Sequence, residues 1–201
     1  VHHGHLRLAE EACEALDLAE VRWLPAGRPP HREAPRVSAA HRLEMVRRAV
    51  ADNPAFTVDD AETRVEAPSY SVTTLERLRA GMGGRPLVLL MGADAFLGLA
   101  TWHRWRELFS LAHIGVAARP GFELSPEALP AELAGACAGR LGADPCVLRA
   151  APAGSVVQFA MIPLAISASL LRARLAARLS ARYLLPDPVR EYIDRQQLYR
   201  N

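Results

Sequence analysis

Leu87-Val88-Leu89-Leu90-Met91, followed at once by Gly92-Ala93-Asp94, is an unbroken apolar run that stops at a glycine and an acid. Five apolar residues in a row, without polar alternation, predict a strand covered on both faces, as in a parallel sheet flanked by helices. The glycine and aspartate then mark a strand-to-helix junction, with a short helix after it.

The same alternation recurs on either side of this run. Downstream, Trp102–Leu111 reads as a helix, and Ile114–Ala118 as a second buried strand ending at Arg119-Pro120-Gly121. Residues 122–145 form a helical excursion with loops. Cys146–Arg149 and Val156–Pro163 are strand-like, and Ser167–Leu179 reads as a strongly amphipathic helix. A last helix follows Pro186-Asp187-Pro188 and runs to about Gln196. Upstream, Ser71–Ala80 is helical, opened by Ser69-Tyr70-Ser71, and Phe56–Asp59 is a short strand. Ser38 caps a helix over 39–51 with Leu43, Val46 and Val50 inward. Ala26–Val37 is a loop rich in Pro and Arg, reached from a strand at Val21–Pro25. The chain opens with a helix over 5–17, with Leu8, Ala12 and Leu16 on one stripe. Strand and helix alternating in this way predict an α/β fold with a mainly parallel sheet, flanking helices and a small C-terminal helical part. Ligands of such sheets sit beyond the carboxyl ends of the strands, which points to the loops 25–37, 92–94, 119–121 and 164–169.

Composition narrows the chemistry. Of 201 residues half are apolar, and all 24 basic residues are arginine against 22 acidic ones. Without lysine there is no P-loop lysine, no Schiff base to a pyridoxal cofactor and no kinase lysine. A phosphate must be met by arginine, histidine, hydroxyls, backbone N–H groups or a metal. Interspersed charges with a net of +2 give no nucleic-acid footprint. No apolar run reaches the ~18 residues of a membrane span, and the first residues show no signal-peptide pattern. Cys13, Cys137 and Cys146 form no CxxC pair and read as small apolar residues of a reducing compartment. A cytoplasmic protein with no nucleic-acid or membrane partner is expected.

Several short motifs carry candidate chemistry. His2-His3-Gly4-His5 runs into a helix, where open N–H groups and the dipole attract an anion and two imidazoles add donors. A tag remnant and a histidine metal cluster are its plainer readings. Ile166-Ser167-Ala168-Ser169-Leu170-Leu171-Arg172 puts two hydroxyls at a helix start and an arginine one turn on. That is a helix cap with a solvated arginine, or a phosphate clamp. Asp94 reads equally as a cap or as a partner for a ribose hydroxyl. Pro29-Pro30-His31-Arg32 is a stiffened basic loop. Trp105 reads as core, whereas Trp102 can stack on a flat ring, with Tyr70 a weaker case. GxSxG and HExxH are both absent.

Taken in order, HxGH near the start and ISxxxxR near the end match one superfamily of nucleotidyltransferases. Ala67-Pro68-Ser69-Tyr70-Ser71, Gly92-Ala93-Asp94, Thr101-Trp102, Arg119-Pro120-Gly121 and Leu198-Tyr199-Arg200 extend the match nearly end to end. The chain thus resembles the bacterial nicotinate-nucleotide adenylyltransferases. The resemblance implies a Rossmann-like, doubly wound fold, with residues 1–201 as one nucleotidyltransferase domain. It also implies a reaction in NAD biosynthesis, in which the phosphate of nicotinate mononucleotide attacks the α-phosphorus of ATP to give deamido-NAD and pyrophosphate.

By position, His2, His5 and Arg172 become catalytic. Gly4, His31, Arg119, Ser167 and Ser169, with Arg32 beside them, become ATP- and phosphate-binding. Tyr70, Ser71, Asp94, Trp102 and His103 become mononucleotide-binding. In this scheme Asp94 meets the ribose, Trp102 stacks on the nicotinate ring, and backbone N–H groups of 70–71 and 102–103 meet its carboxylate. Mg²⁺ is expected on the substrate phosphates rather than on protein ligands, and a homo-oligomer is compatible with this reading. Family members carry a strand and a GGTFDP-like turn ahead of HxGH. Neither precedes Val1, and both are expected upstream. A related nicotinamide-mononucleotide or phosphopantetheine enzyme, and an inactive nucleotide-binding protein, are the alternatives.

Overall fold

A computed structural model describes residues 1–29, 37–118, 123–142 and 144–200. In chain order the helices are α1 His3–Leu16, α2 Ala39–Val50, α3 Ser71–Met82, α4 Ala93–Leu97, α5 Leu108–Leu111, α6 Ala131–Cys137, α7 Val147–Ala150, α8 Ala168–Ala176 and α9 Asp187–Arg195. The strands are β1 Val21–Trp23, β2 Phe56–Val58, β3 Val88–Gly92, β4 His113–Ala118, β5 Leu141–Gly142 and β6 Val156–Ala160. Every strand pair among the described residues is parallel, as the alternation of elements predicts. The chain divides into two compact units, Val1–Ala9 with Ala19–Ser69 and Pro163–Asn201, and Glu10–Leu18 with Tyr70–Ile162.

In the first unit β1 pairs with β2, Val21 facing Phe56 and Trp23 facing Val58. Ser38 caps α2 as expected, its hydroxyl accepting from the His41 N–H at 3.3 Å. Val50 points inward, but Met45 is the other buried residue of α2, while Leu43 and Val46 are only half-buried. Met45 packs with Val37, Leu171, Leu185, Val189 and Ile193 in a core that joins α2 to the C-terminal helices. The strongly amphipathic helix expected over 167–179 is shorter and weaker. Only Leu171 of α8 is buried, and Leu170 and Leu179 are exposed. Arg178 adopts a left-handed φ of 57°, which ends the helix before Leu179 can join a stripe.

In the second unit the four-stranded sheet runs β3-β4-β6-β5. β4 is buried at every residue. β3, expected to be covered on both faces, is buried only at Met91, because it stands at the end of this sheet with one strand neighbour. Gly115 on β4 lies against the side-chain ends of Leu90 and Leu16, which would have to shift to admit a larger residue. A Cβ there would lie 2.8 Å from Leu90 Cδ2 and 3.1 Å from Leu16 Cδ1.

Two further elements differ from their expected form. Trp102–Leu111 is not one helix. Trp102 is extended, Arg104 is left-handed at φ 52°, and helical structure resumes only at Trp105. Cys146–Arg149 belongs to a helical turn, not a strand, because the Asp144 carboxylate accepts from the Cys146 N–H at 2.8 Å and nucleates α7. Trp105 is core as expected, buried edge-on against Phe109. His113 is fully buried; its Nδ1 accepts from the Ser155 N–H, so Nε2 carries the proton and donates to the Ala151 carbonyl.

Candidate active site

The histidine cluster is built by the first turn of α1. The N–H groups of His5 and Leu6 both donate to the His2 carbonyl, at 2.9 and 3.3 Å. His2 is therefore the residue on which the helix starts. Helix periodicity alone placed that start at His5, which instead lies within the first turn. The two rings stack, centroids 3.8 Å apart, with His2 buried beneath and His5 exposed above. Gly4 makes this possible, since a Cβ there would press within 3.1 Å of His2 Nδ1 and Cε1. His2 Nδ1 is buried without a hydrogen-bond partner among the described residues.

Burial first, and then repulsion from His5, push the His2 pKa down to about 3, so its ring is neutral at pH 7. The stabilisation from a neutral His2 is complete above the unfolded value of about 6.5 and is lost as pH falls toward the folded value. Urea unfolding midpoints should therefore drop from pH 7 to pH 4, and drop less in His2→Asn. An equal drop in both proteins would contradict the burial of a neutral ring.

The C-terminal motif lies beside this turn. The Ile166 carbonyl is 3.7 Å from the Cβ position of Gly4. The Ser167 hydroxyl caps α8, accepting from the Leu170 N–H at 3.1 Å, and keeps its own proton to donate. Arg172 Nη2 donates to the Ser169 hydroxyl at 3.2 Å. His2, His5 and Arg172 line one cavity of about 380 Å³ together with Trp23, Arg42 and Tyr199. Thus HxGH and ISxxxxR, some 160 residues apart in the chain, meet in one place.

Sequence reading missed two residues of this cavity. The Trp23 indole N–H is buried without a partner among the described residues; a tryptophan ending a short strand gives no signal of this. Arg42 donates to the carbonyls of Ala26, Gly27 (2.8 Å) and Val37 (3.4 Å). Within a helix it reads as an ordinary solvated arginine, yet it ties down both ends of the Pro- and Arg-rich loop. Gly27 is fixed as well, because a Cβ would fall 1.9 Å from the Glu62 carbonyl oxygen. His31, Arg32 and Arg119 lie outside the described residues.

The second unit holds the other candidates. Asp94 is exposed in the first turn of α4, but Gly92, not Asp94, is the cap, so the carboxylate is not spent on the backbone. Tyr70 precedes α3 and Ser71 begins it. The Tyr70 ring packs on the exposed His103 ring, centroids 4.2 Å apart. Trp102 is half-buried, and its N–H already donates to the Leu99 carbonyl at 2.9 Å. Of the backbone donors expected in these segments, the Trp102 N–H is thus already spent on its own turn. Among the described residues no three of His, Cys, Asp or Glu gather as a metal cage, and no helix is long and apolar enough to cross a membrane.

A model of the cytidylyltransferase-like family matches residues 1–174. A probable nicotinate-nucleotide adenylyltransferase of Dechloromonas aromatica is 58% identical over 100% of this chain and 93% of its own length. One from Halorhodospira halophila is 50% identical over 96% of this chain and 87% of its own. Among solved structures, the Plasmodium falciparum nicotinic acid mononucleotide adenylyltransferase complexed with NaAD superposes with a TM-score of 0.73. It does so at 12% identity, covering 99% of this chain and 91% of that one, and so corroborates the Rossmann-like fold.

Proposed function

The chain belongs to the cytidylyltransferase-like family and, within it, to the nicotinate-nucleotide adenylyltransferases, and on that basis we propose which of its residues carry the adenylyl transfer. The reaction serves NAD biosynthesis, in the cytoplasm on this reading. A phosphate oxygen of nicotinate mononucleotide forms a bond to the α-phosphorus of ATP. The bond from that phosphorus to the bridging oxygen breaks, pyrophosphate leaves and deamido-NAD remains. The nucleophile is already ionised, so no general base and no covalent intermediate is required. The task of the protein is placement of two anions and stabilisation of charge on the five-coordinate phosphorus and the departing pyrophosphate.

The observation that carries this assignment is the convergence of His2, His5 and Arg172 on one cavity. His5, the exposed ring of the stacked pair, donates to the transferring phosphate. His2 supports it from below and offers a neutral imidazole to the same triphosphate. Arg172, with its planar fork of donors, meets the β- and γ-phosphates, joined by Ser169 and the hydroxyl proton of Ser167. The backbone around Gly4 at the start of α1 adds the positive end of a helix dipole. ATP enters as its Mg²⁺ complex, the cation riding on the phosphates as part of the substrate. His31 and Arg119 add donors on the phosphate side. In the second unit Asp94 accepts from a ribose hydroxyl and Trp102 stacks on the nicotinate ring. The N–H groups of Ser71 and His103, beside the Tyr70 ring, receive its carboxylate.

Pyrophosphate release with ATP, Mg²⁺ and each candidate acceptor tests the assignment. Nicotinate mononucleotide should support turnover far better than nicotinamide mononucleotide or phosphopantetheine. Release with either of those, and none with nicotinate mononucleotide, would refute it.

A further inference from the structure

We infer that Arg104, tethered by Glu76 and Glu107, is a positioning residue that sets the Trp102–His103 segment for the mononucleotide. Arg104 Nε donates to one Glu107 carboxylate oxygen at 2.8 Å, and Nη2 donates to the other at 2.6 Å. The same Nη2 donates to Glu76 of α3 at 2.7 Å. The Glu107 N–H closes the turn from the other direction, onto the Arg104 carbonyl at 3.0 Å. Consistent with this, Arg104 holds the Glu107 carboxyl below the usual carboxylate range.

The backbone shows why the tether is needed. Arg104 sits at φ 52°, ψ 35°, a left-handed conformation that a side chain with a Cβ disfavours. The turn that presents His103 therefore does not form by local preference. It is held by ionic contacts to a neighbouring helix and to the following turn. Those contacts act on the two segments that matter. Glu76 stands on α3, the helix that Ser71 begins, and His103 packs on Tyr70 just before it. The Trp102–His103 segment is thus fixed to α3 at two points, the ring contact at Tyr70 and the ion pair at Glu76. A guanidinium can serve two carboxylates at once through its planar fork, whereas a lysine ammonium lacks that geometry. A shift of about 1 Å in such a segment is enough to misplace a bound ring.

This inference rests on the reading that the second unit binds the mononucleotide, and the experiment separates the two. KM for nicotinate mononucleotide and for ATP is measured in wild type, Trp102→Ala, Arg104→Gly, Glu76→Gln and the Glu76→Gln/Arg104→Gly double variant, together with the Tm of each. Glycine is chosen because it keeps the left-handed backbone accessible while removing the tether, and Glu76→Gln weakens the tether without changing the backbone at 104. Trp102→Ala should raise the mononucleotide KM roughly 2- to 10-fold. Arg104→Gly should raise the same KM several-fold, with the ATP KM within about two-fold of wild type. Glu76→Gln should do likewise, and the double variant should be no worse than Arg104→Gly, the non-additivity expected of one network. The contacts are solvent-exposed, so Tm should change little. An unchanged KM in Trp102→Ala would overturn the site reading itself. A raised KM there with none in Arg104→Gly would overturn the positioning role alone. So would equal rises for both substrates, or a silent Glu76→Gln, the latter pointing to direct contact of Arg104 with substrate.

Discussion

His5→Ala should lower kcat by roughly 10²- to 10³-fold, the usual cost of removing one donor aimed at developing charge, and should leave the KM for nicotinate mononucleotide nearly unchanged. His5 is the exposed member of the stacked pair and lines the cavity shared with Arg172. Its ring is carried by the first turn of a 14-residue helix, so its position does not depend on a bound ligand. His2 below it is neutral and buried, and cannot replace a lost donor without leaving its pocket, where Gly4 grants it space. Removal of a donor that acts in the transition state appears in kcat, whereas removal of ordinary binding appears in KM. Steady-state kinetics with both substrates varied distinguish the outcomes. An equal loss in mononucleotide affinity and turnover would contradict the assigned role.

Arg79→Ala should give the largest loss of stability among the surface-reaching arginines, about 3 kcal/mol out of a typical total of about 5–15. Arg79 on α3 makes five hydrogen bonds through Nε, Nη1 and Nη2, accepted by the carbonyls of Gly83, Arg85, Leu111 and Pro152 at 2.6–3.1 Å. Those carbonyls belong to the end of α3, the approach to β3, the end of α5 and the loop before β6. Truncation removes both side-chain donors from the part-buried Leu111 carbonyl, which costs more than the bonds themselves, while the exposed Gly83 and Arg85 carbonyls turn to water and the Pro152 carbonyl keeps the Leu87 N–H. Lysine, with three donors on a point charge, should recover less than half of the loss. Urea denaturation of Arg79→Ala, Arg79→Lys and wild type reads this directly. A midpoint shift no larger than that of an exposed ion-pair arginine would contradict it.

The absence of lysine takes on a second meaning beside these results. In the sequence it excludes chemistries. In the structure, Arg42 and Arg79 use the guanidinium to bind several carbonyls at once, a task for which lysine is poorly shaped. Neither residue is legible in the sequence, because an arginine within a helical pattern reads as a solvated face. The α/β class was legible, since apolar runs such as Ile114–Ala118 are dictated by burial on both faces. So was the pairing of HxGH with ISxxxxR, through the order of the motifs. Element boundaries failed where a single side chain or dihedral overrides periodicity. Asp144 turns Cys146–Arg149 into a helix. Arg104 interrupts Trp102–Leu111, and Arg178 shortens α8. The spent Trp102 N–H is likewise a matter of one local turn, which residue types do not encode.

The adenylyl group should pass directly from ATP to the mononucleotide, without a covalent enzyme intermediate. ATP labelled at its α-phosphorus, mixed with nicotinate mononucleotide and an excess of the protein for a single turnover, tests it in one measurement. All of the transferred label should appear in deamido-NAD, in step with pyrophosphate release, and none should remain on the denatured protein. Label bound covalently to the chain, or pyrophosphate released without labelled dinucleotide, would rule out direct transfer.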